Sequence, residues 1–266
     1  MTVREGNSMA TDLESTAAQG DIEDRRDSAE NADFRVLRLA VWSVLAYCVL
    51  GLAGFAVLAG FWPPPAEYLQ AIDIAAYFRD HDTAIRIGMV LMAMGAPFYF
   101  VWSAALSKII SRIEGPMGVL STVELLGGLL TAIVTMVPPT IWLTAALRAQ
   151  DRTDGTVQLF YDFGWIFFDL TFMCSVLQSV ALGLAILRDR RPVPLIPRWV
   201  AWLAFLVAAT YFPLVFVPFF RDGPFAWHGL ISFWVVFVMF FVLIAVVTPY
   251  ALKAVRTIEA EMSTQP

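Results

Sequence analysis

Residues 39–61 read LAVWSVLAYCVLGLAGFAVLAGF, an unbroken stretch without a charged side chain. An α-helix rises about 1.5 Å per residue, so about 20 apolar residues are needed to cross roughly 30 Å of hydrocarbon. The stretch is therefore long enough to span a membrane. No short basic region directly precedes it, which favours a retained anchor over a cleaved signal peptide.

Five further stretches meet the same criterion. They cover residues 87–107, 116–138, 158–187, 199–220 and 224–252. The third apolar run continues towards residue 147, but Pro138-Pro139 is expected to break or kink a helix, so we end that span at 138. The chain is 59% hydrophobic with a mean hydropathy of +0.68, and its 15% of charged residues falls below the quarter or so typical of soluble domains. We predict an all-α integral membrane protein, a six-helix bundle.

The amino-terminal segment differs from the rest of the chain in composition. Residues 1–33 hold nine acidic residues and three arginines, a charge of −6, so the remainder carries +1 of the total of −5. Such a segment buries too little apolar surface to offset the entropy lost on ordering. We predict a disordered acidic tail over residues 1–34, a transmembrane domain over 35–256 and a short tail over 257–266.

The connection between the first two spans opens with Phe61-Trp62-Pro63-Pro64-Pro65, where three prolines cannot continue a helix. The aromatic residues there are expected to suit the headgroup layer. Residues 66–79 then place Leu69, Ile72, Ala75 and Ala76 on one helical face. This pattern predicts a short amphipathic helix that lies on the outer surface or caps the bundle.

The distribution of arginine and lysine predicts the orientation, because cytoplasmic loops retain positive charge. With the amino terminus inside, ten such residues lie on the inner side and five on the outer side. The inner ones are Arg35, Arg38, Lys108, Arg112, Arg188, Arg190, Arg191, Arg198, Lys253 and Arg256, and the outer ones are Arg79, Arg86, Arg148, Arg152 and Arg221. We predict both termini in the cytoplasm. The sixteen arginines against two lysines suggest a bacterial genome, and hence the inner membrane.

Glu124 is the most informative polar residue within a predicted span. Counted from Arg112 along one helix, it lies about 18 Å into the membrane, where a carboxylate is costly. Two interpretations stay open. Glu124 either forms a proton-linked, cation-linked or ligand-binding site, or it is a neutral carboxyl hydrogen-bonded to Ser121, Thr131 or another helix.

Asp162 and Asp169 are seven residues apart and share one helical face. Counting back from Arg188 places Asp169 about 28 Å along, near the outer interface, with Asp162 beyond it. Arg86 begins the second span at a similar depth. We expect either an ion pair between Arg86 and one of these carboxylates, or a ligand site in which Arg86 holds an anionic head group.

The two histidines, His81 and His228, fall on the predicted outer side, where they and the neighbouring acids would line one vestibule. The position of His228 beside Trp227, after Gly223-Pro224, favours an interface residue at the start of span six. The spacing of these residues matches no metal motif, so we predict no metal and no cofactor. Cys48 and Cys174 both lie in apolar runs, and no phosphate-binding loop, serine nucleophile motif or basic nucleic-acid face occurs in the sequence.

Several short segments carry a resemblance to known proteins. These are Phe61-Trp-Pro-Pro-Pro, Ile74-Ala-Ala-Tyr-Phe-Arg-Asp, Arg86-Ile-Gly-Met, Leu184-Ala-Ile-Leu-Arg-Asp and Pro224-Phe-Ala-Trp. Over residues 35–255 the chain resembles uncharacterised six-helix bacterial membrane proteins of the domain-of-unknown-function type, from actinobacteria and proteobacteria. The resemblance implies the architecture and no activity.

Three functional hypotheses remain open, with the lipid bilayer as the common partner. The first is a non-enzymatic protein that binds or passes a small amphipathic or hydrophobic compound through an outer vestibule. Its candidate ligand-binding residues are Arg86, Glu124, Asp162, Asp169 and His228. The second is an accessory or assembly subunit that contacts another membrane protein or a second copy. The third is a membrane-embedded enzyme for lipid-like substrates, with the outer carboxylates as acid and base.

Overall fold

The computed structural model describes residues 32–115 and 117–264. The chain divides into two compact units, Met1–Leu39 and Ala40–Pro266. In the first unit the described residues are 32–39, and all of them are helical. The described residues of the second unit form helices and turns without a β-strand. The predicted tail over residues 1–34 lies almost wholly outside the described residues.

The helices are numbered here in chain order. They are α1 (Ala32–Leu58), α2 (Ala71–Asp80), α3 (Asp82–Glu114), α4 (Val119–Leu147), α5 (Asp154–Leu170), α6 (Met173–Arg188), α7 (Arg198–Tyr211) and α8 (Val236–Ser263). Two segments of wider π-helix occur, Ala53–Leu58 at the end of α1 and Leu230–Val235 leading into α8. A 3-10 helix, Phe212–Phe219, follows α7.

Six spans among the described residues are long and apolar enough to cross a membrane. Many large apolar side chains on their outward faces are exposed, including Val49, Leu177, Trp202 and Leu206. Only lipid or another apolar surface can cover so many exposed apolar groups. The predicted all-α, six-span membrane architecture is confirmed, and the protein is a polytopic membrane protein.

Several predicted boundaries are wrong in detail. The sequence predicts the second span over 87–107, whereas α3 extends from Asp82 to Glu114, because a helix can continue into water beyond its apolar part. The third span does not end at Pro138-Pro139, since α4 continues to Leu147. Both prolines are buried within the bundle, where packing against other helices lets α4 continue through them.

Span four contains a break in its helix that no sequence pattern predicts. Its 35 residues divide at Thr171-Phe172 into α5 and α6. The Thr171 hydroxyl donates to Phe167 O at 2.8 Å, which binds one of the carbonyls left free at the end of α5. This break gives the side chains around residue 169 a position that a continuous helix would not allow.

Glycines set the closest helix contacts. A Cβ on Gly54 would overlap the carbonyl oxygen of Gly88, so α1 and α3 touch backbone to backbone. A Cβ on Gly128 would overlap the Ser103 hydroxyl, and one on Gly127 would meet Gln178 Cβ at 2.8 Å. The helices α3, α4 and α6 therefore pack without space between them at this level.

The predicted surface helix over 66–79 corresponds to α2, which begins later and buries a different face. Ile74, Ala75 and Phe78 are buried, whereas Ile72 is 59% exposed. Phe61 is also fully buried rather than in the headgroup layer, because its ring packs against Trp142 at a centroid distance of 5.3 Å. The segment from α1 to α2 is therefore part of the aromatic core at one end of the bundle, which we call the α2 end.

Candidate functional site

A cavity of about 90 Å³ lies between α1, α4, the α5–α6 junction and the start of α8. This volume exceeds the space that one water molecule needs. Most of its lining is aromatic, from Tyr47, Phe55, Phe168, Phe172, Tyr211, Phe237, Phe240 and Phe241. Hydroxyl groups of Thr131, Thr135 and Ser175 and the carboxyl of Asp169 supply its polar lining. We call this space the Asp169 cavity.

Irregular helix segments surround the Asp169 cavity. Phe55 belongs to the π-helix that ends α1, Phe237 follows the π-helix that begins α8, and Asp169 and Phe172 flank the α5–α6 break. Non-helical backbone within a membrane is costly and persists where it is buried in protein or lines a cavity. Interrupted membrane helices and π-bulges are also frequent at binding sites. The irregular backbone therefore makes this cavity the leading candidate for a binding site.

Asp169 is the one charged residue in the lining of this cavity. It is 5% exposed, and its Oδ2 has no hydrogen-bond partner among the described residues. An isolated carboxylate in apolar surroundings is strongly unfavourable. The Asp169 carboxyl group therefore either holds a proton or requires a positively charged or hydrogen-bonding partner.

The rings beside Asp169 are arranged in stacks. Phe55 and Phe237 have centroids 5.4 Å apart and planes 17° apart, and Phe168 and Phe237 lie at 5.9 Å and 29°. Phe168 and Phe237 line the cavity and are themselves part-exposed. A ligand could enter beside them from the hydrocarbon region.

Glu124 lies in a different environment. It is fully buried, and its Oε1 accepts from Ser103 Oγ at 2.9 Å and from Gln178 Nε2 at 3.1 Å. Tyr99 donates its hydroxyl proton to Gln178 Oε1 at 2.9 Å. Oε2 has no partner among the described residues. We call these four residues the Glu124 network, and none of them lines the cavities described here.

The predicted hydrogen bonding of Glu124 to a neighbouring helix is confirmed, whereas the depth count and the named partner residues are wrong. A loop separates α3 from α4, so the count from Arg112 along one helix does not apply. Glu124 lies in the second turn of α4, about 8 Å from its first residue. Its partners come from α3 and α6 rather than from Ser121 or Thr131, and Thr131 instead hydrogen-bonds to Ser175 at 3.0 Å.

The expected ion pair between Arg86 and Asp162 or Asp169 is wrong. Arg86 binds Asp82, four residues earlier on α3, with Nη2 2.9 Å from Asp82 Oδ2. That local pair forms on one helix without any long-range contact, which is why it is preferred. Arg86 lines neither the Asp169 cavity nor the outer cleft described next.

Asp162 lines a polar cleft of about 590 Å³ at the α2 end, together with Glu67, Arg221 and Trp227. Glu67 accepts the backbone N–H of Trp227 at 2.7 Å. Burial raises the pKa of Glu67 to about 7, with Asp162 adding to the shift and Trp227 N–H and Arg221 opposing it. We call this the outer cleft, after the predicted orientation. Asp162 and Asp169 therefore face separate sites.

The histidines do not form one site with these acids. His228 Nε2 lies 3.9 Å from Asp222, and burial lowers the pKa of His228 while Asp222 opposes the shift. His81 stacks on Tyr77 with a centroid distance of 4.7 Å. Among residues 32–115 and 117–264, no group of three or more His, Cys, Asp or Glu is placed to hold a metal ion.

The opposite end of the bundle carries a second charged cleft, of about 540 Å³. Arg112, Arg188, Arg190 and Arg191 line it beside Glu114 and Asp189. Arg188 pairs with Glu114 at 3.3 Å, and Arg191 pairs with Glu261 at 3.2 Å. These ion pairs hold α3, α6 and α8 together at this end.

Sequence reasoning finds Asp169 and Glu124 but misses most of the residues around them. Polar residues within apolar runs, such as Ser103, Ser175 and Gln178, are the signal that could have found them. The aromatic lining gives none, because phenylalanine is common throughout the spans. No family model, curated protein or solved structure matches the chain. The resemblance to bacterial six-helix proteins stays a prediction.

Proposed function

We propose that this membrane protein binds, or passes, a small amphipathic or hydrophobic compound in the Asp169 cavity. The observation that carries the proposal is the coincidence of three irregular helix segments with a buried, unpartnered carboxyl group at one cavity. Apolar cavities with a few convergent polar groups are the usual form of small-molecule sites. The apolar lining would hold the body of the compound, and the polar groups would orient it.

The arginine bias supports an orientation in which both termini are cytoplasmic and the Asp169 cavity lies towards the extracytoplasmic side of a bacterial inner membrane. The outer cleft with Asp162 lies at the same end of the bundle as the cavity. In this arrangement a compound would reach Asp169 from the outer leaflet, past the part-exposed rings of Phe168 and Phe237.

The experiment uses the full-length protein in lipid nanodiscs and N-phenyl-1-naphthylamine, a neutral hydrophobic fluorophore. Trp165 is 5.9 Å from Phe168, a ring of the cavity, so bound fluorophore should accept energy from tryptophan. We expect a saturable transfer signal above the linear signal from lipid partitioning. Gly51 lines the cavity, and a Cβ there meets nothing within 4 Å, so Gly51→Phe should fill the space and abolish the saturable part.

Gly155→Phe is the matched control. A Cβ on Gly155 would also meet nothing within 4 Å, but this residue lies at the start of α5, outside the cavity lining. The control variant should keep the saturable signal. Equal signals in Gly51→Phe and the parent would contradict the proposal, as would a parent whose signal is purely linear.

A further inference from the structure

The lining of the Asp169 cavity has a charge pattern that restricts its ligand. Asp169 is its one ionisable acid, and no lysine, arginine or histidine lines it. The remaining polar groups there are neutral hydroxyls, of Tyr47, Thr131, Thr135, Ser175 and Tyr211. An anionic ligand would meet an uncompensated carboxyl group in apolar surroundings, where repulsion is poorly screened. The cavity is therefore electrostatically unsuited to anions.

The aromatic lining adds a second, independent preference. The face of an aromatic ring carries partial negative charge and attracts cations that lie within about 6 Å of its centre. Phe55, Phe168 and Phe237 form a continuous stack beside Asp169, and Tyr47 and Phe240 lie edge to face at 6.2 Å. A stack covers some of its own ring faces, but the faces that border the cavity can attract an ammonium group that carries no N–H donors.

Combining the two, and resting on the proposed function, we infer that the compound bound in the Asp169 cavity is a hydrophobic cation, such as an alkylated ammonium. Its positive group lies beside the Asp169 carboxylate and the ring faces, and its apolar part extends past Phe168 and Phe237 into the hydrocarbon. The cation supplies the charge partner that the buried carboxyl lacks among the described residues. The cavity volume of about 90 Å³ suits a compact head group, so a larger apolar part of the ligand must extend beyond it.

The test compares two competitors of almost the same shape. Benzyltrimethylammonium is a cation, and neopentylbenzene replaces its nitrogen by carbon. Each is titrated against the saturable N-phenyl-1-naphthylamine signal of the protein in nanodiscs. We expect the cation to compete at a concentration at least about tenfold lower than the neutral compound, as a desolvated cation–aromatic contact with a carboxylate would give.

Asp169→Asn should bring the two concentrations within about twofold of each other. Glu124→Gln is the matched control, since it makes the same change at a buried carboxyl outside the cavity, and it should keep the tenfold preference. If Asp169→Asn does not yield folded protein, Phe237→Leu, which removes a ring face, should reduce the preference several-fold.

The outcomes separate the two proposals. Equal competition by both compounds in the parent would overturn the cation assignment and leave the binding site intact. So would a preference that survives in Asp169→Asn, or in Phe237→Leu, or one that Glu124→Gln removes. A parent without saturable signal and without competition by either compound would contradict the proposed function itself.

Discussion

Glu124 and Asp169, two buried carboxyl groups within the membrane spans, occupy opposite kinds of interior. Glu124 is enclosed by three close-packed helices and accepts two hydrogen bonds at Oε1. Asp169 faces a cavity among irregular helix segments, with Oδ2 unpartnered among the described residues. Both are rare, costly residues for a membrane span. The difference shows that burial alone does not distinguish the two acids, whereas the presence of unfilled space beside the carboxyl group does.

The largest expected effect comes from adding a side chain to each interior. Gly128→Leu places a branched side chain where a Cβ already overlaps the Ser103 hydroxyl, so overpacking should cost about 3 kcal/mol or more. Gly51→Leu places the same side chain in the Asp169 cavity and should leave stability unchanged or raise it by up to about 1 kcal/mol, since leucine favours a helix more than glycine does. Size-exclusion profiles and thermal unfolding in detergent measure both. Equal stability of the two variants would contradict the claim that the interior is close-packed at Gly128 and open at Gly51.

Truncating each acid should give changes of opposite sign. Glu124→Ala leaves the Ser103 and Gln178 donors without their acceptor, which should lower stability by about 1 to 3 kcal/mol. Asp169→Ala removes an unpartnered buried carboxyl, so stability should stay the same or rise. Thermal unfolding of both variants at neutral pH, without ligand, checks this. A larger loss in Asp169→Ala than in Glu124→Ala would reverse the comparison.

How well the sequence predicts these two sites depends on how far apart in the chain the interacting residues lie. Apolar length predicts the six spans, because hydrocarbon thickness imposes it on any helix that crosses. The predicted depth of Glu124 is wrong, since a count from Arg112 requires one helix where the chain turns between Glu114 and Val119. The predicted ion pair of Arg86 is wrong because Asp82, only four residues away, competes successfully with any distant carboxylate.

The irregular backbone is the part that sequence reasoning could not reach. Thr171-Phe172 interrupts span four although neither residue is a proline or glycine, whereas Pro138-Pro139 lies within the continuous α4. In a membrane the surrounding helices decide which backbone groups find partners, so local propensity is a poor guide. A cavity formed at such an interruption requires the packing of several spans and leaves no pattern in one of them.

The outer cleft predicts a pH dependence of intermediate size. The pKa of Glu67 is about 7 in the folded protein, above its ordinary value of 4.5. Because the folded state holds the proton more tightly than the unfolded state, the stability contributed at this position falls as pH rises from about 4.5 to 7. Unfolding temperatures at pH 5 and pH 8 should therefore differ more in the parent than in Glu67→Gln, with the parent less stable relative to the variant at pH 8. Parallel pH profiles of the two proteins would argue against this.

The smallest effect is expected at Arg86. Its pair with Asp82 leaves the Arg86 side chain 37% exposed, and ion pairs of this kind contribute about 0 to 1 kcal/mol. Arg86→Ala should therefore change stability by less than about 1 kcal/mol and leave fluorophore binding as in the parent. Loss of the saturable signal in this variant would instead support the sequence-based prediction that Arg86 is a ligand-binding residue.

Labelling with a hydrophobic carbodiimide tests the central claim most directly, since this reagent enters the bilayer and modifies protonated carboxyl groups that it can reach. The protein in nanodiscs is treated with dicyclohexylcarbodiimide, and the modified residues are identified by mass spectrometry. We predict modification of Asp169, its suppression in Gly51→Phe, and no modification of Glu124. Modification of Glu124 with Asp169 left unmodified would contradict the account.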